Sequence, residues 1–177
     1  MQLETKHGPV AVRPTRPPDA PRLRDLRLDA LARNPEAYGQ TYEEAAARPA
    51  ESWLEWAERG AGGPRGVTFV ADAGDSLVGI AALVRPEAAK FRHAGAIQAV
   101  YVRPAWRGAD LAGALIEACA GWAADEGMRL LRLTVVTDNV AAIRCYARRG
   151  FVVYGVEQEA LHHNGAYYDE LLMARKL

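Results

Sequence analysis

Cysteine is scarce: Cys119 and Cys145 are the two in 177 residues. Their spacing fits no zinc pattern and two thiols make no disulfide framework, which points to a reducing, cytoplasmic setting. Lysine is also rare. Of 22 basic residues three are lysines, Lys6, Lys90 and Lys176, and arginine supplies the rest. Twenty-two acidic residues balance them to a net charge of +0. No chain-wide field therefore draws the protein to nucleic acid or to an anionic membrane. Long apolar runs are missing as well. The most apolar stretch, residues 111–124, is interrupted by Glu117 and falls short of a membrane span. Residues 1–13 hold no apolar core of signal-peptide length. His7, His93, His162 and His163 form no HExxH or other helical metal pair, and no internal repeat is present. What remains is a chain of 50% hydrophobic and 25% charged residues, the composition of one globular domain over residues 1–177.

Periodicity divides the chain into elements. Residues 8–13 read as a short strand, stopped by Pro14, Pro17 and Pro18. Asp19 is placed as an N-cap, and Leu23, Leu26, Ala30 and Leu31 then recur at helical spacing. A second helical segment, residues 42–59, is broken near Pro49, with Ser52 capping the turn that carries Trp53 and Trp56. Residues 67–73 and 77–84 form a hairpin. Residues 95–103 are a strand, 110–126 an amphipathic helix ended by Gly127, and 130–137 a buried strand. Residues 139–149 are a helix ended by Gly150, and 151–157 and 167–175 are closing strands. Consecutive strands favour antiparallel pairs and single-helix crossovers favour parallel ones. The expectation is a mixed sheet with helices on both faces.

Two segments carry chemistry. In the first, Val100-Tyr101-Val102 ends a strand, Arg103 and Pro104 turn the chain, and Arg107-Gly108-Ala109-Asp110-Leu111-Ala112 opens a helix. The first N–H groups of a helix lack internal acceptors, and with the helix dipole they favour an anion such as phosphate. Arg107 adds positive charge, and the small residues let a ligand approach the backbone. In the second segment, Asn139 and Tyr146 stand seven residues apart, on one side of a helix that ends at Gly150-Phe151.

The first segment resembles motif A of the GNAT superfamily of N-acetyltransferases, Arg/Gln-x-x-Gly-x-Gly/Ala, with Arg107 and Ala112 at its ends and Asp110 where the family has its internal glycine. The second resembles motif B, Asn-x-x-Ala-x-x-x-Tyr-x-x-x-Gly-Phe, at every named position. The likeness covers residues 67–177, the acetyl-CoA-binding core. Residues 19–60 correspond to the family's variable acceptor-side helices. It implies a twisted, mainly antiparallel mixed sheet of about seven strands flanked by helices. It also implies transfer of acetyl from acetyl-CoA to a primary amine by direct attack in a ternary complex. In that scheme the backbone of Val100, Tyr101 and Val102 aligns the pantetheine. Arg107, Gly108, Ala109, Asp110, Leu111 and Ala112 hold the pyrophosphate, and Asn139 contacts the pantetheine region. Tyr146 protonates the departing thiolate.

Asp110 cuts both ways. As a cap it is worth about 0.5–2 kcal/mol. About 4 Å from a phosphate it costs on the order of 1 kcal/mol in water and about 4 at an effective dielectric of 20. The base stays open among His93, His162, His163, Glu157 and a water relay, because Gln98 on the relevant strand is not basic. Cys145 reads as packing. The acceptor, a small-molecule or peptide amine, should meet residues 38–42, Trp53, Trp56 and residues 157–168. A rival reading is a non-catalytic acyl-CoA-binding module with a regulatory role. Homodimerisation is a family tendency.

Overall fold

The computed structural model describes all of residues 1–177. Eight strands form one open sheet in the order β1-β2-β3-β4-β5-β6-β8-β7. They are β1 (Gln2–Thr5), β2 (Gly8–Pro14), β3 (Gly66–Asp72), β4 (Leu77–Val84), β5 (Ala94–Val102), β6 (Leu130–Val136), β7 (Val152–His163) and β8 (Ala166–Lys176). The helices are α1 (Ala20–Arg33), α2 (Tyr42–Ala46), α3 (Ala50–Arg59), α4 (Leu111–Asp125) and α5 (Val140–Ala147). The expected mixed, mainly antiparallel sheet is present, with β5 and β6 its one parallel pair. The count of about seven strands is corrected to eight. The extra strand, β1, is a short half-exposed hairpin partner of β2, too polar to announce itself.

Two apolar clusters sandwich the sheet. On one face α4 and α5 cover Val67, Val78, Leu83, Leu131 and Leu133, with Leu115, Ile116 and Cys119 of α4 fully buried. On the other, α1 and α3 cover Val70, Leu77, Ile80 and Tyr101 through Leu23, Leu26 and Trp53. Alternation along each strand supplies both faces, which is why β4 is buried at every position but its last. Burial of a Leu or Ile side chain contributes about 1.5–3 kcal/mol, so either layer holds its helices firmly.

Two proposed caps are corrected. Asp19 makes no side-chain cap bond to α1. It is buried and accepts hydrogen bonds from Arg13 Nη1 at 2.6 Å, Arg22 Nη2 at 2.5 Å and the Arg16 amide at 2.8 Å. Burial pushes its pKa up, but these donors outweigh that and bring it down to about 2. Arg13 and Arg22 also hold Asp72, which pins α1 to β2 and β3. Ser52 likewise caps nothing, since α3 starts at Ala50 behind Pro49. The expected break at Pro49 does separate α2 from α3.

Candidate active site

The site begins with a fault in the sheet. β5 pairs with β6 only from Ala94 to Ala96, opposite Leu130 to Arg132, and the two strands then part. The register between β4 and β5 shifts at this level, with Ala99 at φ 54°. An extra residue in one strand bends it and increases its twist. A left-handed alanine is strained by roughly 1–2 kcal/mol, which marks the bend as a place where geometry overrides local preference.

Past the bulge, β5 keeps one edge free. Arg103 N donates to Val78 O on β4, so by alternation Tyr101 also faces β4 while Val100 and Val102 face away. The carbonyls agree: Val100 O accepts from the Tyr38 hydroxyl at 3.1 Å and Val102 O from Arg107 Nε at 3.1 Å. Two of the three expected backbone positions therefore open to the gap. Tyr101 turns its side chain into the α1 layer, where its hydroxyl donates to Asp29 Oδ2 at 2.7 Å.

The parted strands open a cleft of about 790 Å³. Its walls include Gln98, Val100, Val102, Arg107, Ala112, Thr134, Val136, Asn139, Cys145, Tyr146 and Glu170. Tyr38, Gln40, Arg27, Arg48 and Trp56 close the side toward α1 and α3. A smaller hollow of about 420 Å³ adjoins it, lined by Val102, Arg107, Gly108, Asp110, Leu111, Ala112, Cys145 and Arg148. There the amides of six successive residues, Gly108 to Gly113, donate to no protein acceptor, the first α4 bond being Ala114 N to Asp110 O. Leu111 contributes only its amide, because its side chain lies in the core. Six free donors at a helix start, flanked by Arg107 and Arg148, form a cradle whose chemistry suits an anion.

Asp110 departs from the expected cap. It adopts a left-handed conformation, φ 55° and ψ 26°, and its side chain caps nothing. Its carboxylate instead pairs with Arg149 Nη2. Arg149 lies across α4 directly over Gly113, where any Cβ would collide with the guanidinium. A local balance of charge thus sits where the sequence shows only an acid.

Asn139 caps α5 by accepting from Ala142 N at 3.1 Å, and its Nδ2 has no protein acceptor. Tyr146 is buried, its ring 6.1 Å from that of Phe151. Burial pushes its phenol pKa well up, and the nearby Cys145 and Tyr38 add to this, so it stays protonated throughout the neutral range. Burial raises the Cys145 thiol too, consistent with packing and not with a nucleophile.

Of the base candidates, His93, His162 and His163 are absent from the cleft wall. Glu157 points to the residue that was missed: it lies opposite Glu170 in the β7–β8 register, and Glu170 lines the cleft. Leu133 and Met173 pair across β6 and β8 and face the α4 layer, so Glu170, three residues before Met173, faces the α1 layer. Burial raises the Glu170 pKa, a hydrogen bond with Thr134 lowers it, and Glu157 raises it again. Next to Asp169 in sequence, Glu170 carries no local signal of its role. Trp53 is core and Trp56 borders the cleft, its Nε1 donating to Thr68 Oγ1 at 3.2 Å. No group of three or more His, Cys, Asp or Glu is placed to hold a metal. No helix is long and apolar enough to cross a membrane.

The model of the acetyltransferase (GNAT) family matches residues 24–151, well over half of the chain. Mycothiol acetyltransferase of Pseudarthrobacter chlorophenolicus is 30% identical over 137 residues, 73% of this chain and 40% of that protein. The L-amino acid N-acetyltransferase AaaT of Escherichia coli is 35% identical over 74 residues, 40% of this chain and 44% of its own. The chain thus spans less than half the length of these curated relatives. Among solved structures, a GNAT-family acetyltransferase from Streptococcus pneumoniae superimposes with a TM-score of 0.87 at 22% identity, over 95% of this chain and 99% of that one. The yncA protein of Salmonella typhimurium, solved with acetyl-CoA, gives 0.81 at 20% identity, over 95% and 94%. At such identities these two speak for the fold alone. The family match over residues 24–151 shows that the chain belongs to the GNAT family of acetyltransferases.

Proposed function

We propose that the protein transfers the acetyl group of acetyl-CoA to a primary amine by direct attack, with both molecules bound across the gap between β5 and β6. The observation that carries this is the run of six unpaired amides from Gly108 to Gly113, opening beside a gap lined by a protonated phenol and a carboxylate. When bound, acetyl-CoA supplies the acetyl group and a thiolate leaving group. The amides of Gly108, Ala109, Asp110, Leu111 and Ala112, with Arg107, receive the pyrophosphate. The free backbone edge at Val100 and Val102 aligns the pantetheine and polarises the thioester carbonyl, with Tyr101 as the residue that spaces them. Asn139 offers its unpaired Nδ2 to the pantetheine.

Glu170 takes a proton from the acceptor ammonium and passes it to solvent, leaving a lone pair to form the C–N bond. As the C–S bond breaks, Tyr146 gives its proton to the sulfur and is reprotonated by the one the nitrogen then loses. One proton is released per turnover, and no acyl-enzyme is needed. A phenol this weakly acidic yields its proton only to a sulfur already carrying charge, which ties protonation to bond cleavage.

Calorimetry with acetyl-CoA, followed by a thiol-release assay over a panel of amines, tests this reading. Saturable binding and amine-dependent release of CoA are expected. No binding at millimolar concentration overturns it. Binding without turnover across a broad panel would favour a regulatory acyl-CoA-binding module instead. The same titration reads the charge at the cradle. Asp110→Gly should tighten acetyl-CoA binding by about fivefold, the equivalent of on the order of 1 kcal/mol, since it removes a carboxylate and releases Arg149. Equal or weaker affinity would mean that Arg149 already cancels the acid in full.

A further inference from the structure

The charges around the cleft are lopsided. Arg27, Arg48, Arg59, Arg65 and Arg107 line it, against the single carboxylate of Glu170. Two of these cations are accounted for: Arg65 pairs with Glu87 at 2.8 Å, and Arg107 belongs to the cradle. Arg27 is not. It stands in the middle of α1, 8% exposed, with no carboxylate in ion-pair range. Its Nε and Nη2 share Gln40 Oε1 at 3.4 Å, longer than a good hydrogen bond, and Nη1 has no protein acceptor. Its guanidinium lies 4.5 Å from the centroid of the Tyr38 ring, the same residue whose hydroxyl reaches Val100 O. Arg48 is half-buried over Trp53 and also lacks an acidic partner.

Burying a cation without a counter-ion is costly, and an anion bound there would relieve that cost. The phosphates of the donor are not that anion. Their cradle lies at the start of α4, whereas Arg27 projects from α1 on the opposite face of the sheet. Resting on the acetyl-transfer reading above, we propose that the acceptor is a small amine that also bears a carboxylate, a free amino acid. Its carboxylate seats on Arg27 and Arg48, and its amine turns toward Glu170 at the gap. The planar guanidinium fork of Arg27 matches a carboxylate bidentately, and Gln40 gives way to it. The acceptor is then read by charge at both ends, its anion on the arginines and its ammonium on the one acid of the cleft.

The test compares a panel of α-, β- and γ-amino acids, each beside its own carboxamide, with acetyl-CoA binding followed separately by calorimetry. For the best amino acid, kcat/KM should exceed that of its carboxamide by about 30-fold or more. Arg27→Gln should collapse that ratio toward unity, chiefly through KM for the acid, and Arg48→Gln should reduce it in part. Melting curves of both variants report folding, and either variant alone suffices to read the ratio. Equal turnover of acids and amides by the unaltered protein overturns this proposal and leaves acetyl transfer standing. A ratio that survives both substitutions removes the assignment to these arginines. Binding of acetyl-CoA with transfer to no amine at all removes the acetyl-transfer reading, and this one with it.

Discussion

Tyr146→Phe should lower kcat by two to four orders of magnitude while leaving acetyl-CoA affinity nearly unchanged. General acid catalysis contributes on that scale, and the substitution deletes one hydroxyl from a ring held in the core beside Phe151. The ring itself stays, so packing and the cleft wall are retained. Loss confined to kcat is the mark of an interaction made as the sulfur leaves, whereas a change confined to KM would mean that the hydroxyl merely positions a ligand. A donor whose thiol is more acidic depends less on a proton at departure, so an acetyl thioester of that kind should lose less in the variant. An undiminished kcat with a competent acceptor would remove Tyr146 from the chemistry.

Glu170→Gln should lower kcat/KM by about a hundredfold near neutral pH and change the shape of its pH dependence. A base acts only when deprotonated. Burial, opposed by Thr134 and reinforced by Glu157, holds the Glu170 pKa above its ordinary 4.5. In the unaltered protein the rate should therefore fall as pH drops through that raised value, and in the variant this acid limb should vanish. Glu157→Gln serves as the companion measurement. Removing the like charge opposite Glu170 should move the limb to lower pH with little loss at the plateau. An acid limb that persists in Glu170→Gln would assign the base elsewhere.

The difference between what was legible and what was not follows contact distance along the chain. The helix starting near Asp110 and the helix carrying Asn139 and Tyr146 were readable because caps, glycine stops and 3.6-residue periodicity are local. The pairing of β5 with β6 followed from the single helix between them. Glu170 was not readable: strand alternation and the β6–β8–β7 order turn it into the cleft, and nothing near it in sequence says so. Arg27 looked like one arginine among many until its lack of a carboxylate partner could be seen. The Asp110–Arg149 pair joins residues 39 apart. Neither Asp19 nor Asp110 caps the helix that follows it, and each carboxylate is paired with a guanidinium instead.

The parting of β5 and β6 makes the sheet a wall with a slot in it. The unpaired amides at the start of α4 lie on one face of the sheet, its rear, and Arg27 of α1 on the other. In the proposed reaction the two reactants would approach from opposite faces, so neither should have to pass the other and no fixed order of arrival is expected. An inhibitor seated in front would leave the rear site free to fill, and the reverse holds as well. A single molecule threaded through the slot would gain from both halves at once, the second half binding at an effective concentration set by the length of the thread.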